Sequence, residues 1–169
     1  AISLSDLLDE IPVDAARWFF NSKPESQMEF DLDLAVRQDS ENPVYYVQYA
    51  HARICSLIAN LAEEGHEMPV ASGIDAAVLD TGFERELIKQ LAGLPDEVLH
   101  AAADYDPSRI NRYITEVAAR FHRFYNACRI KDAEPDVLKA RLKLAGATKS
   151  VIAVSLGILG VAAPEKMWY

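Results

Sequence analysis

The sequence predicts an all-α protein, and two observations support that prediction. Apolar residues recur at alternating steps of three and four over two long segments, a spacing that gives a helix one continuous buried stripe. Helix-start signals, in which a capping residue precedes proline, and glycines near the ends bound these segments. The 169 residues contain neither a period-two strand pattern nor a hairpin dipeptide such as Asn-Gly. We therefore expect a helical bundle without a sheet.

The first 41 residues predict short helices joined by a polar connector. Ser3 is the predicted N-cap of a helix in SLSDLLDEI, with Asp6 three residues later, and Pro12 ends that helix. VDAARWFF predicts a second short helix, NSKPESQMEF the connector, and DLDLAVRQ a further turn or two of helix. We interpret residues 1–41 as a helical connector and residues 42–169 as the bundle itself.

The longest early helix is predicted to start at Asn42-Pro43, with Asn42 as its cap and the proline at the first helical position. Gly65 is a typical residue just beyond a helix end. His51 falls on the apolar stripe, which favours a hydrogen-bonded core histidine over a metal ligand. The whole expected stripe is Val44, Val47, His51, Ile54, Ile58 and Leu61.

The second half predicts a loop, two short helices and two long ones. HEMPVASGIDAAVLD is expected to be a loop with one helical turn, and Thr81 to Glu84 has capping-box spacing at the start of FERELIKQLAGL. DEVLHAAADY predicts another short helix. Asp106-Pro107 is expected to begin a long helix reaching Ile130, with Ile110, Ile114, Val117, Phe121, Phe124 and Cys128 buried. A last helix follows Pro135 and closes at Gly160, with Val137, Leu138, Leu142, Ala145, Val151, Ile152, Leu156 and Leu159 inward.

The charge distribution is uneven along the chain. Net charge is −9 overall, which by itself argues against a nucleic-acid partner. Residues 1–100 carry 6 basic and 19 acidic side chains, a net of −13, whereas residues 101–150 carry 10 basic and 6 acidic, a net of +4. One basic face on an acidic protein is one interpretation, and a set of solvated helix faces is the other.

The sequence predicts no catalytic apparatus in this chain. It holds no glycine-rich phosphate loop, no Walker sequence and no HExxH, and its four histidines lie in different segments without metal-ligand spacing. Cys55 and Cys128 lie far apart and are predicted to be reduced core residues. No apolar run approaches the ~20 residues of a membrane span, and no signal peptide is recognisable. We expect a cytoplasmic protein that does not contact a membrane.

Tyrosine and arginine recur together beside the buried stripes. Tyr46, Tyr49 and Arg53 form one patch beside the stripe of the early long helix, and Tyr125 and Arg129 lie four residues apart on the later one. A tyrosine ring offers a stacking platform for an unpaired base, and a guanidinium offers charge and a planar donor fork. Tyrosines also pack at helix crossings with their hydroxyls at the rim. The pattern alone leaves both interpretations open.

Several segments, taken in order, resemble the C-terminal part of arginyl-tRNA synthetases. They are DAAR (14–17), FDLDLA (30–35), NPVYYVQYAHARI (42–54), HRFYNACRI (122–130), ARLKLAGATKSVIAVSLGILGV (140–161) and APEKM (163–167). The resemblance covers nearly the whole chain, and NPVYYVQYAHAR is its most specific piece. The tetrapeptide D-A-L-R that names the family's domain reads D-A-A-R here, with Ala16 in place of leucine. The HIGH- and KMSKS-type motifs of the family's catalytic domain are absent from these 169 residues.

The resemblance implies an all-helical anticodon-binding domain of the class I aminoacyl-tRNA synthetase type. It implies that the anticodon loop of tRNA(Arg) is the partner, and that the chain works beside the parent enzyme's own N-terminal catalytic domain. ATP and magnesium would bind in that domain, with no cofactor in this fragment, and the parent is expected to be a cytoplasmic monomer. Family members commonly stop at the position of Met167, whereas Trp168 and Tyr169 follow here. The implied RNA-binding residues are Tyr46, Tyr49, Arg53, Tyr125, Arg129 and Met167.

Two alternatives remain beside this interpretation. One is a related helical domain of cysteinyl-tRNA synthetase or of the glycyl enzyme's β subunit, which the NPVYYVQYAHAR segment disfavours. The other is a helical scaffold that packs against a partner protein and binds no RNA.

Overall fold

The computed structural model describes residues 3–25 and 29–167, and this part of the chain contains eight α-helices and no strand. The all-α prediction is confirmed. The helices are α1 (Leu4–Glu10), α2 (Val13–Ser22), α3 (Leu32–Val36), α4 (Pro43–Glu63), α5 (Gly82–Ala92), α6 (Leu94–Asp104), α7 (Ser108–Ala127) and α8 (Pro135–Ile158). The segment between α4 and α5 holds two short 3₁₀ turns, Ala71–Gly73 and Ala76–Val78, which matches the predicted irregular stretch.

Helix α7 lies at the centre of the bundle and packs against α2, α4, α5, α6 and α8. Its predicted apolar stripe is confirmed, because all five of its large helical members are almost completely buried. They are Ile110, Ile114, Val117, Phe121 and Phe124. Complete burial of such a side chain contributes roughly 1.5–3 kcal/mol, so this one stripe supplies a large share of the driving force for packing.

Helices α4 and α8 pack against α7 and against each other. The predicted α4 stripe is confirmed, with Ile58 half-buried and the other five residues buried. In α8 the predicted inward residues are buried except Val137 and Val151, which are half-buried. Gly65 has φ +89° just beyond α4 and Gly160 has φ +70° just beyond α8. Both are left-handed conformations that glycine adopts without strain, as expected of residues that follow a helix end.

Two predicted helix caps are confirmed in detail, and α4 begins at Pro43 after Asn42 as predicted but without the expected side-chain cap hydrogen bond. Ser3 with Asp6, and Thr81 with Glu84, form reciprocal capping boxes. The Asn42 side chain does not cap α4. Its Nδ2 donates to Arg37 O at 2.9 Å and Ala35 O at 3.3 Å, which holds the side chain against the end of α3, while its Oδ1 has no hydrogen-bond partner among the described residues.

The segment before residue 42 shares the core of the rest of the chain. Ile11, Ala15, Trp18 and Ala35 are buried in the same apolar cluster as the stripes of α4, α7 and α8. Asn111 on α7 donates from Nδ2 to Trp18 O at 3.0 Å, which fixes α2 against the central helix. The division of the chain at residue 42 stays a prediction, and the apolar core is continuous across that position.

A buried ion pair joins the start of α5 to α8. Glu84 is completely buried, and its Oε1 accepts from Arg141 Nε at 2.6 Å while its Oε2 accepts from the Thr81 backbone N–H at 2.9 Å. Burial alone would raise the pKa of Glu84, but the hydrogen bonds from Arg141 and Thr81 outweigh it and the pKa is lowered. Arg141 Nη1 also donates to Arg129 O at 2.5 Å. Its guanidinium therefore bonds α8 to the start of α5 and to the segment between α7 and α8.

We predict that Arg141→Met destabilises the protein by about 3 kcal/mol, because it leaves the Glu84 carboxylate buried without its cation. The free energy of unfolding in urea measures this loss. Lys89→Met is the matched control, since Lys89 pairs with Glu86 at 3.5 Å on the surface, where an ion pair contributes roughly 0–1 kcal/mol. Equal losses in the two variants would contradict a stabilising role for the buried pair.

Candidate nucleic-acid interface

Aromatic side chains from two helices meet where α4 crosses α7. The Tyr46 ring lies 5.2 Å from the His122 ring, centroid to centroid, and the Tyr49 ring lies 6.0 Å from it at an interplanar angle of 23°. Tyr45 extends this group along α4, with its ring parallel to Tyr49 at 6.3 Å. All four rings are half-buried, so each keeps part of its area open to solvent. The cluster is therefore a surface feature at the edge of the core.

Arginine completes the cluster. The guanidinium carbon of Arg53 lies 4.1 Å from the centroid of the Tyr125 ring, a cation–π geometry. Tyr125 in turn packs against the buried Phe121, with ring centroids 5.8 Å apart. The sequence prediction that the tyrosines of the two helices flank adjoining stripes is confirmed in this respect. We name the group Tyr46, Tyr49, Arg53, His122 and Tyr125 the ring surface.

His122 is the member that sequence reasoning missed. It lies between the α4 tyrosines and Phe121, and its Nε2 is buried with no hydrogen-bond partner in the described part of the chain. Burial, and secondarily the charge of Arg53, lower the pKa of His122 to about 4. Its position three residues before Tyr125 on the same helix was the available signal. The sequence pattern was interpreted only for metal ligation by histidine, whereas His122 contributes an aromatic ring to the cluster.

The basic residues beside the ring surface are partly neutralised. Glu116 Oε1 accepts from Arg120 Nε at 2.7 Å and from Arg123 Nη2 at 3.0 Å. Burial raises the pKa of the Tyr46 hydroxyl, with smaller opposing effects from Arg123 and Glu116. Ion pairs with acidic residues also involve Arg109, Arg112, Lys131 and Arg141. Much of the positive excess of residues 101–150 therefore lies in paired charges.

The structure does not place Arg129 on the same helix face as Tyr125. Helix α7 ends at Ala127, where the Cys128 N–H bonds Phe124 O at 2.8 Å and the Cys128 backbone turns extended. The helical four-residue relation, and the predicted extension to Ile130, are therefore wrong. Arg129 is exposed in the segment joining α7 to α8, and its contact with RNA stays a prediction.

Met167 lines a groove that Tyr45 also lines. The groove has a volume of about 360 Å³ and is lined by residues of α2, α3 and α4, including Tyr45 and Gln48, together with Met167 itself. Met167 is half-buried there. Tyr45 connects the groove to Tyr49 and so to the ring surface. Trp168 and Tyr169, whose origin the sequence left open, lie outside the described residues.

The remaining histidine and cysteine side chains lie away from any metal-binding group in the described residues. His51 is 97% buried, with Nδ1 lying 2.8 Å from Pro164 O, as expected of a hydrogen-bonded core histidine. Both cysteines are free; Cys128 is buried as predicted and Cys55 is only half-buried. Across residues 3–25 and 29–167, no group of three His, Cys, Asp or Glu side chains could hold a metal ion. Within those same ranges, no helix has the length and apolar character needed to cross a membrane.

The chain matches known proteins over nearly its whole length. It is 49% identical over 168 residues to the arginine–tRNA ligase of Ruminiclostridium cellulolyticum, which covers 99% of this chain and 30% of that protein. It is 50% identical over 167 residues to the arginine–tRNA ligase of Caldanaerobacter subterraneus, covering 98% of this chain and 30% of that protein. The chain thus spans about a third of the length of these relatives.

Fold and family comparisons agree with these matches. The solved structure of arginyl-tRNA synthetase from Thermus thermophilus aligns with a TM-score of 0.79 at 27% identity, over 92% of this chain and 26% of that one. The family model of the DALR anticodon binding domain matches residues 47–167, which include α7, α8 and all but the first four residues of α4, and hence every member of the ring surface except Tyr46. The chain belongs to the DALR anticodon-binding domain family.

Proposed function

We propose that this chain binds the anticodon loop of tRNA(Arg) as the C-terminal domain of an arginine–tRNA ligase. The ring surface is the observation that carries the proposal. It offers four partly exposed rings and one guanidinium within a single patch, contributed by two helices that are far apart in sequence. Single-stranded bases that leave their own stack bind to such platforms, with each stacked base contributing roughly 1–3 kcal/mol.

The charge of the protein favours recognition through bases over recognition through many phosphates. Net charge is −9, and the arginines Arg120 and Arg123 beside the ring surface share Glu116 as an ion-pair partner. A site whose affinity came mainly from phosphate contacts would need several unpaired cations along the RNA backbone. Stacking on rings and hydrogen bonds to base edges need no row of unpaired cations. They also allow the protein to discriminate between sequences.

The reaction of the parent enzyme belongs to a part of the protein outside this chain. In the proposal, a catalytic domain joins arginine to tRNA(Arg) in an ATP-dependent reaction that uses magnesium, and the domain described here holds the other end of the tRNA. A cytoplasmic location and a monomeric parent complete the proposal. The names of the relatives and the family match support it.

His122 acts in this proposal as a neutral ring. Its pKa of about 4 keeps the imidazole uncharged at physiological pH, so it adds stacking area between Tyr46 and Tyr49 without adding charge. Neutrality also avoids repulsion between the imidazole and the Arg53 guanidinium.

We predict that Tyr46→Ala, Tyr49→Ala and Tyr125→Ala each weaken binding of a tRNA(Arg) anticodon stem-loop by roughly 1–3 kcal/mol, because each removes a stacking platform. The corresponding Tyr→Phe variants keep the ring and should lose much less. Shift assays give the affinities, and melting temperatures measured in parallel separate lost contact from lost folding.

Tyr105→Ala is the matched control for this series. Tyr105 is 90% exposed beside the opposite end of α7, about 20 Å from His122 at 1.5 Å per helical residue. Its loss should leave RNA affinity unchanged. Undiminished binding by all three alanine variants, in proteins that remain folded, would overturn the proposed function and favour a protein-binding scaffold.

We predict that Arg129→Ala weakens binding to all RNA loops alike and lowers the slope of log affinity against log salt by about 0.7, as loss of one phosphate contact requires. Its exposed position beyond α7 suits such a contact better than base recognition. Titrations at several salt concentrations with cognate and non-cognate stem-loops measure the slope. A loss confined to the cognate loop would show that Arg129 contacts a base edge instead.

We predict that His122 makes the protein less stable in mild acid. An unfolded histidine has a pKa near 6.5 whereas folded His122 has a pKa of about 4, so between these values only the unfolded chain takes up the proton. Stability therefore falls as pH drops through 6.5. Allowing for solvent around a half-buried ring, lowering the pH from 7 to 5 should cost about 1 kcal/mol through this residue.

Urea unfolding at pH 7 and pH 5 measures that cost. His122→Gln should reduce the difference between the two pH values by the stated amount, whereas His66→Gln, at an exposed position, should leave it as in the natural chain. The same pH dependence in the natural chain and in His122→Gln would show that His122 is not held neutral.

A further inference from the structure

The last described segment of the chain is held by side chains from two helices. Beyond α8, residues 159–167 contain no helix or strand, and we name them the C-terminal strap. Five side chains bond the strap backbone, three from α2 and two from α4. They are Asp14, Arg17, Asn21, Gln48 and His51. A segment without regular structure rarely receives so many side-chain hydrogen bonds unless its path matters.

Asp14 and Arg17 carry the α2 side of this contact. Asp14 Oδ1 accepts from the Ala162 backbone N–H at 3.3 Å, and its Oδ2 accepts from Gln48 Nε2 at 2.9 Å. Arg17 Nη1 donates to Gly160 O at 2.7 Å. Because the two residues are three apart on α2, they share one helix face and meet the strap side by side.

The α4 side continues the same contact. Gln48 Nε2 donates to Ala162 O at 2.9 Å, while Asp14 holds the N–H of the same residue. The backbone of Ala162 is thus fixed through both its donor and its acceptor. His51 Nδ1 lies 2.8 Å from Pro164 O, which can only accept, so Nδ1 carries the hydrogen. Leu159 and Val161 are buried between these anchors.

The backbone conformation at the start of the strap is fixed by Gly160 and by a hydrogen bond to the end of α8. Gly160 has φ +70°, and a Cβ at this position would lie 3.5 Å from Arg17 Cδ, so the Arg17 side chain covers the turn. The Val161 N–H bonds Leu156 O at 2.9 Å, which closes the end of α8. From there the strap runs to the groove in which Met167 lies with Tyr45 and Gln48.

We propose that Asp14 and Arg17 are positioning residues for RNA binding. They hold the strap so that Met167 lies in the groove beside Tyr45, where it extends the ring surface towards a further unstacked base. The proposal rests on the proposed function, because the ring surface must bind an anticodon loop for the strap to extend it. The two residues act through the strap and contact no RNA themselves.

Asp14→Ala and Arg17→Met test the positioning role in the full chain. If either substitution leaves the strap in place in about a third of the molecules, the apparent Kd for a tRNA(Arg) anticodon stem-loop rises by at most about threefold, and by no more than the loss caused by removing Met167. Asp75→Ala is the matched control, since Asp75 likewise accepts a backbone N–H, that of Ala77 at 2.9 Å, but far from the strap in sequence. It should leave the Kd unchanged.

A shortened chain separates positioning from general stability. A chain ending at Pro164 keeps the backbone atoms of all five strap hydrogen bonds, with a terminal carboxylate now facing His51, but lacks Met167. It should bind the stem-loop more weakly than the natural chain, and Asp14→Ala should then cause no additional loss. Amide hydrogen exchange reports on the strap itself, because Asp14→Ala should speed exchange at Ala162 and leave Val161, which bonds Leu156 O, protected.

The outcomes distinguish the two proposals. If the natural chain does not bind the stem-loop, the proposed function fails and the positioning role fails with it. If the natural chain binds but the chain ending at Pro164 binds equally well, the positioning role alone is overturned. An equal effect of Asp14→Ala in the natural and shortened chains would also overturn it, since the substitution would then act through the bundle.

Discussion

The packing of α4 against α7 is the constraint on which both the fold and the candidate site depend. Each helix buries one continuous stripe, so their relative rotation is fixed by the requirement that both stripes face the same core. Side chains that flank a stripe then lie at the edge of the contact. Tyr46 and Tyr49 meet His122, and Arg53 meets Tyr125, for that reason. The ring surface is thus a geometric consequence of the core, and its rings are held by packing before any ligand arrives.

Local periodicity made the helices and the buried stripes predictable, whereas competition between segments was not visible in the sequence. Asn42 has the spacing of a helix cap, yet two carbonyls near α3 take its amide. Arg129 has the spacing of a helix neighbour of Tyr125, yet α7 ends two residues earlier. His122 was overlooked because its importance depends on which rings of another helix it faces. The Asn42 side chain is oriented by carbonyls five and seven residues away, and His122 by rings on another helix, and helical periodicity reports on neither.

The pairing of individual charged side chains says more about this protein than its net charge does. The interior carries one well-satisfied ion pair, Glu84 with Arg141, which secures the turn between α7 and α8 through Arg129 O. Near the ring surface, Glu116 restrains Arg120 and Arg123. In the proposed complex, RNA would exchange some of these pairings for contacts with phosphate, so each arginine would contribute less to binding than a free cation. This is why stacking on rings is expected to supply most of the affinity of such an acidic domain.

The D-A-A-R tetrapeptide links the core to the C-terminal strap, because two of its residues are buried and the other two contact the strap. Ala15 and Ala16 are buried in the core at 2% and 3% exposure, while Asp14 and Arg17 lie on the side that meets the C-terminal strap. Ala16 stands where the family's tetrapeptide has leucine, and at a buried site that exchange changes volume without adding a polar group. Core positions accept such changes when neighbours repack, whereas the hydrogen bonds of Asp14 and Arg17 depend on specific donor and acceptor atoms. The departure at residue 16 therefore leaves the hydrogen bonds of Asp14 and Arg17 to the C-terminal strap in place.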